Sequence, residues 1–286
     1  MKIPTTRRAH SLVAAGRSAL ALAIVGLLFA VGSNAVAAPT AVGLGTAGSF
    51  AVLAGVTGIH NTGPTTITGD IGTFPGTSIT GASDVTLLSG TNHADDSVTQ
   101  GAKTDLVTAY NTAAGQGPTT PVSPVDLVGK TLKPGVYNSA SPIELSGVLT
   151  LDAGGDPNAV WVFQAGSTLV TASDSKVVML NKAQPCNVYW QVGSSATLGT
   201  NSTFIGTIMA STSISLNTGA KLDGRALAST GAVTLDTNTI TRPACSTSTS
   251  TSTPTATTPS TSTRTGAAQI TAVPRGPVGT GDNSIG

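Results

Sequence analysis

The stretch "ISLNTGA" at Ile214–Ala220 is followed by "VTLDTNT" at Val233–Thr239 and preceded by "TLGTNST" at Thr197–Thr203. Aligned on Leu198, Leu216 and Leu235, the three segments repeat at steps of eighteen and nineteen residues. Thr197, Ser215 and Thr234 stand one position before the leucines, and Thr200, Thr218 and Thr237 stand two positions after. Ile214 and Val233 are apolar two positions earlier, so "ISL" and "VTL" alternate in–out–in as half-buried strands do. "VLTLDA" from Val148, "STLVTA" from Ser167 and "TTITGD" from Thr65 share the pattern at looser spacing. Between them lie short apolar runs such as "AVWVFQA", "KVVMLN" and "TFIGTIMA", bounded by turn residues. Several short strands per repeat describe the coils of a β-solenoid, stacked with parallel strands ~4.7–4.9 Å apart. A sandwich would share the alternation but not the near-constant spacing. The 34 glycines fit a fold with many corners.

One segment, Thr91–Gly115, breaks the pattern. Ala94, Val98, Ala102, Leu106, Ala109 and Ala113 recur at three- and four-residue steps and predict one helix over about 92–114. Asn92 is placed to cap its start, Asp95 and Asp96 suit the positive end of the dipole, and Gly115 ends it. Such a helix can lie along a stack of coils and cover one face.

The two ends are different material. Arg7, Arg8 and Arg17 precede "ALALAIVGLLFAV" and the small-residue site Ala35–Ala37, so residues 1–37 are expected to be a secretory signal peptide. Residues 38–245 are expected to form the folded domain. From Ser246 the chain runs "STSTSTSTPTATTPSTSTRT", and residues 246–286 read as a disordered Ser/Thr/Pro-rich tail. Export makes a disulfide the expected state of the two cysteines, Cys186 and Cys245. It would close a loop of about sixty residues and, in the chain-entropy picture, stabilise by ~4 kcal/mol.

Composition excludes several functions. Charged residues make up only 9% and the net charge is +1, so no basic surface is available to displace phosphate counterions from nucleic acid. Aromatics are 3%, too few for stacking platforms. No HExxH, CxxC or G-x-S-x-G occurs, and the expected mature chain keeps only His60 and His93; catalytic residues, metal ligands and cofactors are all expected to be none. Asp152 and Asp156 flank "AGG", which reads as a turn rather than a calcium site.

"SFAVLAGVTGIHNTGPTTITGDIGTFPGTSITG" resembles the opening of the microbial ice-binding protein family. "TLKPGVYNSAS", "GDPNAVWVFQAGSTLVTA", "NVYWQVGSSATLGTNSTFIGTIMA", "ISLNTGAKLDGRALA" and "GAVTLDTNTIT" resemble its later segments, in the same order, from Ala41 to Cys245. The resemblance implies an irregular right-handed β-solenoid of triangular section with one long α-helix alongside, and a flat face that binds ice. A T-G/A-x-T pattern found on some members' ice faces matches Thr62–Thr65, and departs at Thr57–His60, where His60 ends the motif.

Ice presents neither charge nor pocket, only ordered water oxygens. Threonine suits it: the methyl is apolar, the hydroxyl bonds water and the β-branched side chain is stiff. The candidate contacts are Thr57, Thr62, Thr65, Thr197, Thr200, Ser215, Thr218, Thr234 and Thr237, in a chain expected to be secreted, monomeric and without membrane or nucleic-acid partners. The rival expectation is a non-catalytic adhesion or carbohydrate-binding module on a Ser/Thr stalk, which would cluster aromatic residues in a shallow site. Thermal hysteresis of Thr218→Tyr tests the threonine column: a loss is expected, and unchanged hysteresis in a folded variant removes Thr218 from the site.

Overall fold

In the computed structural model, which describes residues 38–123 and 125–245, the repeat leucines sit directly above one another. Leu198 pairs with Leu216, and Leu216 with Leu235, in parallel register, and none is more than 1% exposed. Each three-residue strand sends its first and third side chains inward and its second outward. The expected signal peptide and tail lie outside the described residues.

Three faces enclose the leucine core. The first, the short-strand face, is a sheet of seven parallel strands: Ile143–Leu145, Leu169–Thr171, Ala196–Leu198, Ile214–Leu216, Val233–Asp236, Ile59–Thr62 and Ile79–Thr80. The second face stacks Val148–Asp152, Lys176–Leu180, Thr239–Thr241, Thr65–Thr68 and Val85–Leu88 with the first halves of Thr203–Ala210 and Lys221–Ala228. The second halves of those two long strands belong to the third face, with Gly135–Ser139, Trp161–Ala165, Val188–Val192, Phe50–Ala54 and Asp70–Thr73. The long strands turn the corner at Gly206 and Gly224, where any Cβ on Gly224 would stand 1.9 Å from the Gly206 carbonyl oxygen.

Stack order is not chain order. The N-terminal coils lie against the C-terminal one, with Ile59 beside Val233 and Val52 beside Ala226. From there the single α-helix among the described residues, Ser97–Ala114, carries the chain along the third face to the opposite end. Eighteen residues at ~1.5 Å each span ~27 Å, or five to six strand spacings. The helix starts later than the sequence predicts. Asp96, not Asn92, is the N-cap, its carboxylate accepting from the Thr99 N–H, while Asp95 takes a left-handed conformation just before. Ala94 therefore lies outside the helix and Val98 is 43% exposed; Thr99 replaces them on the buried stripe with Ala102, Leu106, Ala109 and Ala113.

Polar groups fasten this helix to the coils. The Gln164 amide donates to the carbonyls of Ala113, Ala114 and Gln116, capping the helix end. The Lys103 ammonium donates to the carbonyls of Ala54, Ala228 and Ser229, and its burial pushes its pKa down to about 8. Inside the solenoid a column of rings runs Tyr137, Phe163, Trp190, Phe204, with successive centroids 5.4, 3.9 and 4.8 Å apart. Most of the aromatics among the described residues are thus spent on the interior. Cys186 and Cys245 form a disulfide, which ties the end of the last coil to the turn Pro185–Asn187. At "DAGGD", Asp152 accepts from the Lys133 ammonium, the Asn181 amide and the Gly154 N–H, while Asp156 accepts from the Asn158 N–H. These bonds make it a turn.

Leu216→Ala should cost ~2–5 kcal/mol in urea unfolding, because the cavity lies between two coils, whereas Ser215→Ala should stay within ~0.5 kcal/mol. The Lys133 bond, with help from Asn181 and Gly154, holds the Asp152 carboxyl down to about 2. A folded-state value below the unfolded one gives stability that is present at neutral pH and lost as pH falls through the folded value. Thermal melts of Asp152→Asn should therefore lose less midpoint than wild type between about pH 4 and 2.

Candidate functional site

The short-strand face builds one continuous row from the second residue of each strand. Reading along the stack, the row is Glu144, Val170, Thr197, Ser215, Thr234, His60, Thr80, each the register partner of the next. Its centre is hydroxyl-bearing, with strands ~4.7–4.9 Å apart. The His60 ring shares a 3.0 Å hydrogen bond with the Thr80 hydroxyl.

A second row precedes it. Thr168, Ser195, Ser213, Ala232, Gly58 and Ser78 sit just before their strands, each of their carbonyls accepting the N–H that opens the preceding strand of the stack. These residues are small throughout, and the Ser213 N–H also reaches the Ser195 hydroxyl. Thr57 stands exposed at the same corner.

The third row lies just after the strands and differs from the sequence alignment. The Asn201 N–H donates to the Thr218 carbonyl, the Gly219 N–H to Asp236, and the Thr237 N–H to Thr62. The row is therefore Thr200, Thr218, Asp236, Thr62. Thr237 is displaced into the left-handed corner that Asn201, Gly219 and Gly63 occupy in neighbouring coils. The leucine step from Leu216 to Leu235 is nineteen residues but the step from Thr218 to Asp236 is eighteen, so the corner after Leu235 is one residue shorter than those after Leu198 and Leu216. The Thr218 and Thr237 hydroxyls each donate to one oxygen of Asp236, so the row's carboxylate is held by its neighbours. Thr65 is the other correction. It is 1% exposed and its hydroxyl accepts from the Asn238 N–H, so it serves the inside of the corner.

The first and third rows form a shallow trough of about 390 Å³ lined by Thr62, Thr200, Ser215, Thr218, Thr234 and Asp236. Thr57, Thr62, Thr197, Thr200, Ser215, Thr218, Thr234 and Thr237 thus share one face or its edges, and Thr65 does not. Sequence spacing missed His60 and Thr80 because they join the row through Thr234, far away in the chain; Ser195 and Ser213 repeat at the same eighteen-residue step as the leucines and could have been found from it. The second face is more charged, carrying Lys176, Lys221, Asp223, Asp152 and Lys133, and the third is under the helix. Among the described residues no cluster of three or more His, Cys, Asp or Glu side chains could hold a metal ion.

The family model described as ice-binding-like matches residues 52–241. The chain is 51% identical over 205 residues to an ice-binding protein of Nostoc sp. (strain HG1), covering 71% of this chain and 75% of that one. It is 36% identical to an ice-binding protein of Colwellia sp., covering 82% and 96%. Among solved structures, an ice-binding protein from an Antarctic biological consortium superposes with a TM-score of 0.69 at 46% identity, over 72% of this chain and 92% of that one. That of the Antarctic ascomycete Antarctomyces psychrotrophicus gives 0.68 at 42% identity, over 72% and 100%. By sequence and by fold, the chain belongs to the ice-binding-like family.

Proposed function

We propose that the protein adsorbs to ice through the short-strand face and so restrains ice growth or recrystallisation. The observation that carries this reading is the register-locked run Thr197, Ser215, Thr234, flanked by Thr200 and Thr218 on one side and Ser195 and Ser213 on the other. Beta-branched and short side chains lose little entropy when a solid surface immobilises them, and the long charged chains that would lose most are scarce on this face. Its charged members include Glu144 and its bridge partner Asp126 at one end, and Asp236, whose oxygens are engaged by threonine hydroxyls. Ice-binding relatives, one of them at 51% identity, support the same assignment.

The chain acts without catalysis or cofactor. Its role needs an extended surface rather than a reacting group, and His93 is engaged with Asp96, the helix cap. An adhesin for sugars finds no support in the side chains: Trp161 and Trp190 are buried, and no aromatic residue among those described is exposed. Residues 1–37 serve as a removable export signal, residues 38–245 as a monomeric ice-binding domain, and residues 246–286 as a Ser/Thr-rich extension. No helix among the described residues is long and apolar enough to cross a membrane.

Ser215→Tyr combined with Thr234→Tyr should remove most thermal hysteresis, since two rings raised above the row hold the remaining hydroxyls off a planar solid. Equal hysteresis in a variant with an unchanged melting curve would move the ice contact elsewhere.

A further inference from the structure

At one end the second face carries an ordered patch that the assignment above does not use. Thr65–Thr68 lies between Thr239–Thr241 and Val85–Leu88, paired in parallel: Thr66 with Thr239 and Thr86, Thr68 with Thr241 and Leu88. Ile67 and Ile240 between them are fully buried, so the six flanking positions point outward in two columns three coils deep. Five of the six are threonine. Thr86, Thr239 and Thr241 are exposed; Thr66 and Thr68 are half-buried. Hydroxyls repeat at ~4.7–4.9 Å down a column and at ~6.6–6.8 Å across it, the two periods of a pleated sheet.

The patch has a definite edge. In the next coil the same two columns hold Lys221 and Asp223, and beyond them the face carries Lys176, Val178 and Leu180. Its three coils are those whose short-strand positions are Thr234, His60 and Thr80. The corner joining the two faces is tied from within. The Asn238 amide donates to the carbonyls of Asn217 and Ala220, its N–H meets the Thr65 hydroxyl, and the Asn61 amide donates to the carbonyls of Gly63 and Gly81. Two hydroxyl arrays therefore meet along Thr62–Thr65 in a fixed mutual orientation.

We propose that this threonine patch is a second ice-contacting surface, so that one molecule engages ice on two faces and adsorbs to two sets of crystal planes. The proposal rests on the ice-binding reading above and extends it to a surface of the same chemistry across the shared corner. Stiff β-branched side chains present methyl and hydroxyl together, as on the first face, and within the three coils no charged side chain interrupts the two columns.

Fluorescently labelled full-length protein adsorbed to a single-crystal ice hemisphere tests it. Wild type should light two sets of planes. Thr239→Tyr with Thr241→Tyr should lose one set and keep the other, and Ser215→Tyr with Thr234→Tyr should do the converse. Thr241→Lys, a change at an exposed edge that adds charge without a ring, should dim the same set as the first pair; circular dichroism melts establish that each variant folds. If both second-face variants light the wild-type planes at wild-type hysteresis, the patch is not an ice contact, while a dark Ser215/Thr234 variant leaves the first assignment standing. If the Ser215/Thr234 variant is unchanged and the Thr239/Thr241 variant is dark, the patch carries the binding and the short-strand assignment fails.

Discussion

The parallel pairing of inward leucines and isoleucines from coil to coil is the constraint on which this structure depends. A strand alternates its side chains strictly, so a slip of one residue would turn Leu198, Leu216 or Leu235 to solvent and bring Thr197, Ser215 or Thr234 into the core. With each leucine contributing ~1.5–3 kcal/mol when buried, that exchange is prohibitive. The outward residues inherit the same register without any interaction of their own. Order on the surface is a by-product of packing beneath it.

The rest of the molecule protects that register. The corners are closed by buried Asn238 and Asn61, whose amides satisfy the carbonyls that the turning backbone leaves free. The third face is sealed by the helix, with Gln164 and Lys103 pairing carbonyls at the seam. The disulfide holds the last coil against the turn at Pro185–Asn187. A stiff stack of this kind can present immobile hydroxyls over several coils, which a flexible loop cannot.

Much of this was legible in the chain itself. Alternation around Leu198, Leu216 and Leu235 identifies strands, near-constant spacing identifies coils, and the alanine stripe identifies the helix. The helix start was not legible, because Asn92, Asp95 and Asp96 are all competent caps and only the path of the incoming coil selects Asp96. Thr237 was misplaced because the leucine register says nothing about the corner that follows, where one residue fewer brings Asp236 beside Thr218. Thr65 is a candidate as the last residue of the Thr62–Thr65 motif, but it shares the inward parity of Ile67, and its hydroxyl meets Asn238 inside the corner. The membership of His60 and Thr80 in the row depends on the N-terminal coils docking beside the C-terminal one, a long-range closure that local spacing cannot encode.

A face built this way acts on ice by extent and regularity, not by a few strong contacts. Each hydroxyl exchanges one water neighbour for another of similar strength, so the net gain per group is small and many must engage together. That explains why hydroxyl rows run across several coils and why Asp236, the carboxylate inside a row, has its oxygens engaged by threonine hydroxyls. The most direct test is the growth of a single ice crystal in a solution of the purified protein, cooled slowly just below its melting point. The account predicts a faceted crystal whose growth is held over a temperature gap; a rounded disc that expands as freely as in buffer would contradict it.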